Sequence, residues 1–144
     1  MSVEYHKALV RRLFDEDLNE GDRVARSRVA DEIVAGDFVD HTNPPGLQHG
    51  LESHKQIVTI LRTAFPDLHW EYEEPIAEGD KVAVRVTMHG THQGEFFGIP
   101  PTGKQVTVPG IHIMRFANGE LVEHWGNNDD LGMIHQLGIA PAMA

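Results

Sequence analysis

No cysteine occurs among the 144 residues, so disulfides, zinc thiolate sites and thiol nucleophiles are all excluded. Aromatics are sparse too, with two Trp, two Tyr and six Phe, so any cluster of them is informative. No apolar run approaches the ~18 residues needed to cross a bilayer. The N-terminal Met1-Ser-Val-Glu-Tyr-His has no basic stretch followed by an apolar one, so no secretory signal is expected. Positive charge is also scarce. Twelve basic residues face 22 acidic ones, a formal net charge of −10, which repels a phosphate backbone unless basic residues cluster locally. Arg23, Arg26 and Arg28 are the one such cluster. They share their stretch with Asp22 and Asp31 and read as a solvated helix face. The expectation is a cytoplasmic protein with no nucleic-acid or membrane partner, and the length fits one domain over residues 1–144.

What is present is ordered by period. Leu9, Val10, Leu13 and Phe14 repeat at helical spacing, and Gly21 is a plausible stop. Val29, Ile33 and Val34 mark a second helix closed by Gly36. Asp37-Phe-Val-Asp-His41 then reads as a short extended piece. Ile57, Ile60, Leu61, Ala64 and Phe65 mark a third helix that Pro66 ends. Beyond it the period changes to two. Leu68 to Ala77 reads as a strand, and Val82, Val84, Val86 and Met88 alternate with more polar residues. Lys104–Phe116 and Leu121–Asn128 flank Asn118-Gly119, a strong hairpin signal, and a short helix over about Leu131–Leu137 follows. Helices first and hairpin-linked strands after predict an α+β domain. Its mainly antiparallel, strongly curved sheet would wrap the N-terminal helices as a cone-shaped barrel whose open end is a ligand pocket.

Trp125, Asn127 and Asp129 stand at alternate positions of the last strand-like run and are expected to share one face. An aromatic, an amide and a carboxylate side by side suit a polar group at the floor of an apolar pocket, with Asp129 as the proton carrier. Burial would raise its pKa toward neutrality. The competing role is to cap the following helix. Asp130 can take that role while Asp129 faces the pocket.

His112, set among apolar neighbours in Gly110-Ile-His-Ile-Met-Arg-Phe116, is a candidate partner, with an ordinary core histidine as the alternative. Phe96 and Phe97, between glycines in the Gly94–Gly103 loop, read as a lid. His41 and His92 read as pocket-mouth residues. Arg85 looks either into the pocket or out to solvent. Ten histidines invite a metal, but His89 and His92 are three apart on a strand and point to opposite faces, so no metal site is expected.

Five segments in order carry a resemblance: Asp37-Phe-Val-Asp-His41, Ala64-Phe-Pro-Asp-Leu68, Ala77-Glu-Gly-Asp80, Gly90 to Lys104, and Trp125 to Gly132. Together they resemble the SnoaL-like polyketide cyclases, also called ester cyclases, of the nuclear transport factor 2-like superfamily. The resemblance implies a homodimer or higher homo-oligomer formed through the sheet. It also implies cofactor-independent closure of a ring in a small, apolar, oxygenated molecule by intramolecular aldol condensation. The acid–base aspartate of the family's Trp-x-x-x-Asp-x-x-Gly pattern falls on Asp129, and its assisting histidine on His112. The same fold hosts epoxide hydrolases, isomerases, dehydratases and non-catalytic binding modules. An epoxide hydrolase would need Arg85 and a second acid near Asp129.

Overall fold

The computed structural model describes residues 2–139. Helix α1 (Val3–Arg12) is capped by the Ser2 hydroxyl, which accepts from the Tyr5 amide, and continues into a wider π-helical turn over Leu13–Leu18. There Asn19 N–H donates to Phe14 O, five residues back. Helix α2 (Arg23–Ile33), capped by Asp22, runs directly into strand β1 (Val34–Asp40). Val34 and Gly36, expected in the helix and at its stop, therefore belong to a strand. Helix α3 (Leu51–Ala64) stops before Pro66, as its sequence requires.

The expected strand from Leu68 to Ala77 is two short ones, β2 (His69–Tyr72) and β3 (Ile76–Glu78), separated around Pro75. Proline has no N–H for a ladder, so pairing breaks there. Strands β4 (Lys81–Thr91), β5 (Gln105–Ala117) and β6 (Glu120–Asn128) are long, and helix α4 (Asp130–Gln136) follows. Asn118 and Gly119 turn the β5–β6 hairpin with φ of 52° and 79°, the left-handed pair a two-residue turn demands.

The six-stranded sheet has the order β1-β6-β5-β4-β2, with β3 also on β4. All pairs are antiparallel except β1 with β6. The parallel pair arises because α3 and the other strands intervene between β1 and β6. Val82, Val84, Val86 and Met88 of β4 and Val106, Val108, Met114 and Phe116 of β5 point inward. They meet Leu9, Val10, Leu13 and Phe14 of the first helical segment in one core. The basic cluster is not wholly a solvated face: Arg26 is buried and donates to the Gly21 carbonyl at 3.1 Å. Among the described residues no helix is long and apolar enough to cross a membrane.

Candidate active site

The helices do not fill the inner face of the sheet. A cavity of about 450 Å³ remains, with Leu13, Phe14, Phe38, Leu61, Trp70, Val108 and Met114 among its greasy walls. Its polar atoms gather mainly on the β1–β6–β5 side.

Which side chains of β6 reach the cavity is decided by one extra residue. From Phe116 to Arg115 is one step along β5, but their partners Leu121 and Glu123 are two steps apart on β6. Such a β-bulge moves the inward face from odd to even numbers. Leu121 is inward and buried. Past the bulge, His124 lies opposite Met114, Gly126 opposite His112, and Asn128 opposite Gly110. Trp125 and Asn127 instead lie opposite Ile113 and Ile111, which are exposed on the outer face. The expectation of a Trp125–Asn127–Asp129 face inside the pocket is corrected: alternation holds, but the parity is the other one.

Asp129 has also left the strand. It is exposed, and its carboxylate accepts from the Gly132 amide at 2.9 Å as the N-cap of α4. A Cβ on residue 132 would stand 2.1 Å from Asp129 Oδ2, so the cap requires glycine there. The expected division of labour is reversed, since Asp129 caps and Asp130 borders the cavity. Asp130 is exposed too, on the side away from the cavity, yet the partial burial of its carboxyl, and then the charge of Asp129, push it above its usual range. Among the described residues Asp130 makes no side-chain hydrogen bond.

His112 is buried and borders the cavity, where it belongs to a chain of four side chains. Asp40 Oδ1 lies 3.0 Å from His124 Nδ1. His124 Nε2 lies 2.7 Å from His112 Nδ1, and His112 Nε2 lies 2.8 Å from Asn128 Oδ1. Proton positions follow from which groups can donate. The Asn128 oxygen only accepts, so His112 donates from Nε2 and accepts at Nδ1. His124 stands between Asp40 and His112 and links them. The four side chains so form one continuous hydrogen-bonded series.

The electrostatics agree with a neutral His112. Burial, then the positive charge of His124, push His112 down to about 4. Burial alone would raise Asp40, but its hydrogen bond and charge interaction with His124, with the Thr42 amide, outweigh that and hold it below the usual range. The chain leaves the Asn128 amide hydrogens uncommitted. The site also holds two buried N–H donors that find no partner among the described residues, Asn43 Nδ2 and Trp70 Nε1, and both residues border the cavity. Oxygens of a bound molecule are natural acceptors for them.

Phe96 and Phe97 both border the cavity. Phe96 packs against Phe65 at 5.6 Å between ring centroids, and Phe97 is 51% exposed with a φ of 45°. The base of their loop is fastened to α3 by the Gln93 and Gly94 amides donating to Ala64 O. His92 is not at the mouth. It is fully buried beneath the loop, where its Nδ1 accepts from the Thr102 amide at 3.2 Å. His41 is outside the cavity as well, stacked on Trp125 at 4.9 Å and bonded to Glu123 at 2.8 Å. Arg85 is 69% exposed at its side chain and pairs with Glu73, so it cannot serve a carboxylate–arginine–carboxylate site within the cavity.

Asp40, His124 and Asn128 were not among the residues that the sequence points to. The sequence holds a faint signal for the first, since Asp40 closes a strand just before a Pro-Pro-Gly break. It holds none for the others, whose facing depends on the bulge. Among the described residues no three His, Asp or Glu side chains gather as metal ligands.

The family model for SnoaL-like polyketide cyclase matches residues 8–137. Aklanonic acid methyl ester cyclase DnrD of Streptomyces peucetius is 31% identical over 114 residues, covering 75% of this chain and 79% of that protein. Nogalonic acid methyl ester cyclase of Streptomyces nogalater is 31% identical over 118 residues, covering 78% and 86%. Among solved structures, TsrD from Streptomyces laurentii superposes with a TM-score of 0.84 at 26% identity, covering 96% of this chain and 98% of that one. A SnoaL-like polyketide cyclase from Jannaschia sp. CCS1 gives 0.81 at 29% identity, covering 96% and 94%. This chain belongs to the SnoaL-like polyketide cyclase family.

Proposed function

We propose that the protein closes a ring in a polyketide-type ester by intramolecular aldol condensation, without a metal or organic cofactor. The observation that carries this reading is the Asp40–His124–His112–Asn128 chain set into the wall of an otherwise apolar cavity. Relatives named for methyl ester cyclisation support the substrate class. Asp130 is the base. Partial burial and its acidic neighbour make its carboxylate more basic than an ordinary one, and among the described residues no side-chain hydrogen bond restrains it. It takes a proton from a carbon flanked by carbonyls.

The negative charge that develops on the neighbouring oxygen meets the Asn128 amide, held in place by His112, His124 and Asp40. Donors fixed in advance in an apolar site need no reorganisation when charge appears, and this is where such a network acts. The apolar walls fold the substrate so that the enolate carbon reaches an internal carbonyl. The lid residues Phe96 and Phe97 exclude water. A homodimer formed through the outer sheet face, where Ile111, Ile113 and Trp125 lie, completes the proposal.

The test is Asp130→Asn with aklanonic acid methyl ester as substrate. Ring closure, followed by chromatography, should fall by about 10²-fold or more, the usual worth of a positioned base, while thermal unfolding is unchanged. Full turnover in a folded Asp130→Asn variant would falsify the assignment of the base.

A further inference from the structure

Ring closure by that route ends on an alkoxide that needs a proton, and Asp130, which serves the carbon, is exposed on its other side. The helical wall of the same cavity carries a second acid–imidazole pair. Asp17, in the π-helical turn, is only 2% exposed, and its Oδ2 lies 2.6 Å from His54 Nε2 on α3. His54 is buried, stands edge-on to Phe38 at 6.1 Å, and borders the cavity. Asp17 borders a different space, a polar groove between α2 and α3 lined by Arg23, Ser27, Gln48, Glu52 and Lys55. The pair therefore bridges the wall, with an imidazole toward the cavity and a carboxylate toward the groove. A link whose only task was to tie the π-helical turn to α3 would not need two ionisable groups, whose burial is unfavourable unless they are paired. π-helical turns recur at functional sites because they redirect a side chain without ending the helix.

We propose that His54, oriented by Asp17, is a second proton-transfer group of this cavity: with its Nε2 held on the Asp17 carboxylate, its Nδ1 gives a proton to the alkoxide formed on ring closure and takes one back from solvent as product leaves. This rests on the aldol reading above. The enolate pair forms the carbon–carbon bond, the carbonyl π pair moves to oxygen, and that oxygen takes the His54 proton. The proton that Asp130 removed from carbon returns to solvent at Asp130, so the sum is an isomerisation with no oxidant or co-reactant.

The two proton transfers can be read separately. Aklanonic acid methyl ester is incubated with the full chain in D2O, deuterium uptake at the acidic carbon is followed by mass spectrometry, and ring closure by chromatography. His54→Gln should keep deuterium uptake within about twofold of wild type while ring closure falls by about 10²-fold, the scale of a lost general acid. Asp17→Asn keeps an acceptor for His54 and should lower ring closure relative to uptake by about 10-fold. Ring closure at the wild-type rate in His54→Gln overturns the proposal, and so does an equal fall in both readouts. If His54→Gln does not fold by circular dichroism, Asp17→Asn decides, and an unchanged ratio of closure to uptake overturns the role. A wild type that neither exchanges nor cyclises the ester overturns the aldol reading and this one with it. A wild type that does both, with no split in the variants, overturns this one alone.

Discussion

Mild acid should destabilise this protein through one buried imidazole. His112 is held at about 4 against an ordinary 6.5, first by burial and then by the charge of His124; Asn128 and Asp40 pull the other way without compensating. Between those two values the unfolded chain binds a proton that the folded chain refuses, so stability falls as pH falls. At about 1.4 kcal/mol for each pH unit, the interval from 6.5 to about 4 amounts to about 3 kcal/mol. That is a large part of the roughly 5–15 kcal/mol that holds a domain folded. With a urea dependence of about 2 kcal/mol per molar, the unfolding midpoint should drop by about 1.5 M.

Asp40 does not confuse this window. Its depressed carboxyl contributes stability above the ordinary carboxylate range and loses it only as pH falls through a value lower still. The assay is urea unfolding, followed by circular dichroism, at several pH values from 7 to 4 for wild type and His112→Gln. The variant starts less stable because a hydrogen-bond chain is interrupted, and the gap should close by about 3 kcal/mol on acidification. Parallel pH profiles for the two proteins would refute the neutral, buried imidazole and the donor order built on it.

Three further outcomes test the geometry. Gly110→Ala puts a methyl 2.0 Å from Asn128 Oδ1, so it should push Asn128 off His112 and lower ring closure by about 10-fold or more, measured as kcat on aklanonic acid methyl ester. Asp129→Ala should lose about 1 kcal/mol of stability with its helix cap yet keep turnover, and a folded variant without turnover would return Asp129 to the chemistry. Sedimentation of wild type should show a dimer that Ile113→Lys turns into a monomer. A monomeric wild type would remove the outer face as an interface.

Much of the architecture follows from local rules. The helical period from Leu9 to Phe14, the stop at Pro66, the two-residue period of β4 and the Asn118-Gly119 turn each depend on neighbours a few residues away. Each is therefore legible one segment at a time. The α+β arrangement and the family follow from their order. The place of Phe96 and Phe97 beside the cavity was legible for the same reason, since paired aromatics between glycines are a local feature.

What tertiary structure alone decided is which atoms face the cavity. One inserted residue in β6 exchanged the inner and outer faces, taking Trp125 and Asn127 out and bringing His124 and Asn128 in. Bulges are set by how two strands register, and register depends on residues far apart in sequence. The Asp40–His124 contact joins strands separated by the whole of α3 and the β4–β5 hairpin, and Asp17–His54 joins two helical segments. The sequence itself made acids and imidazoles abundant, and long-range packing selected the few that share an enclosed space where charge is poorly screened and a proton's position matters.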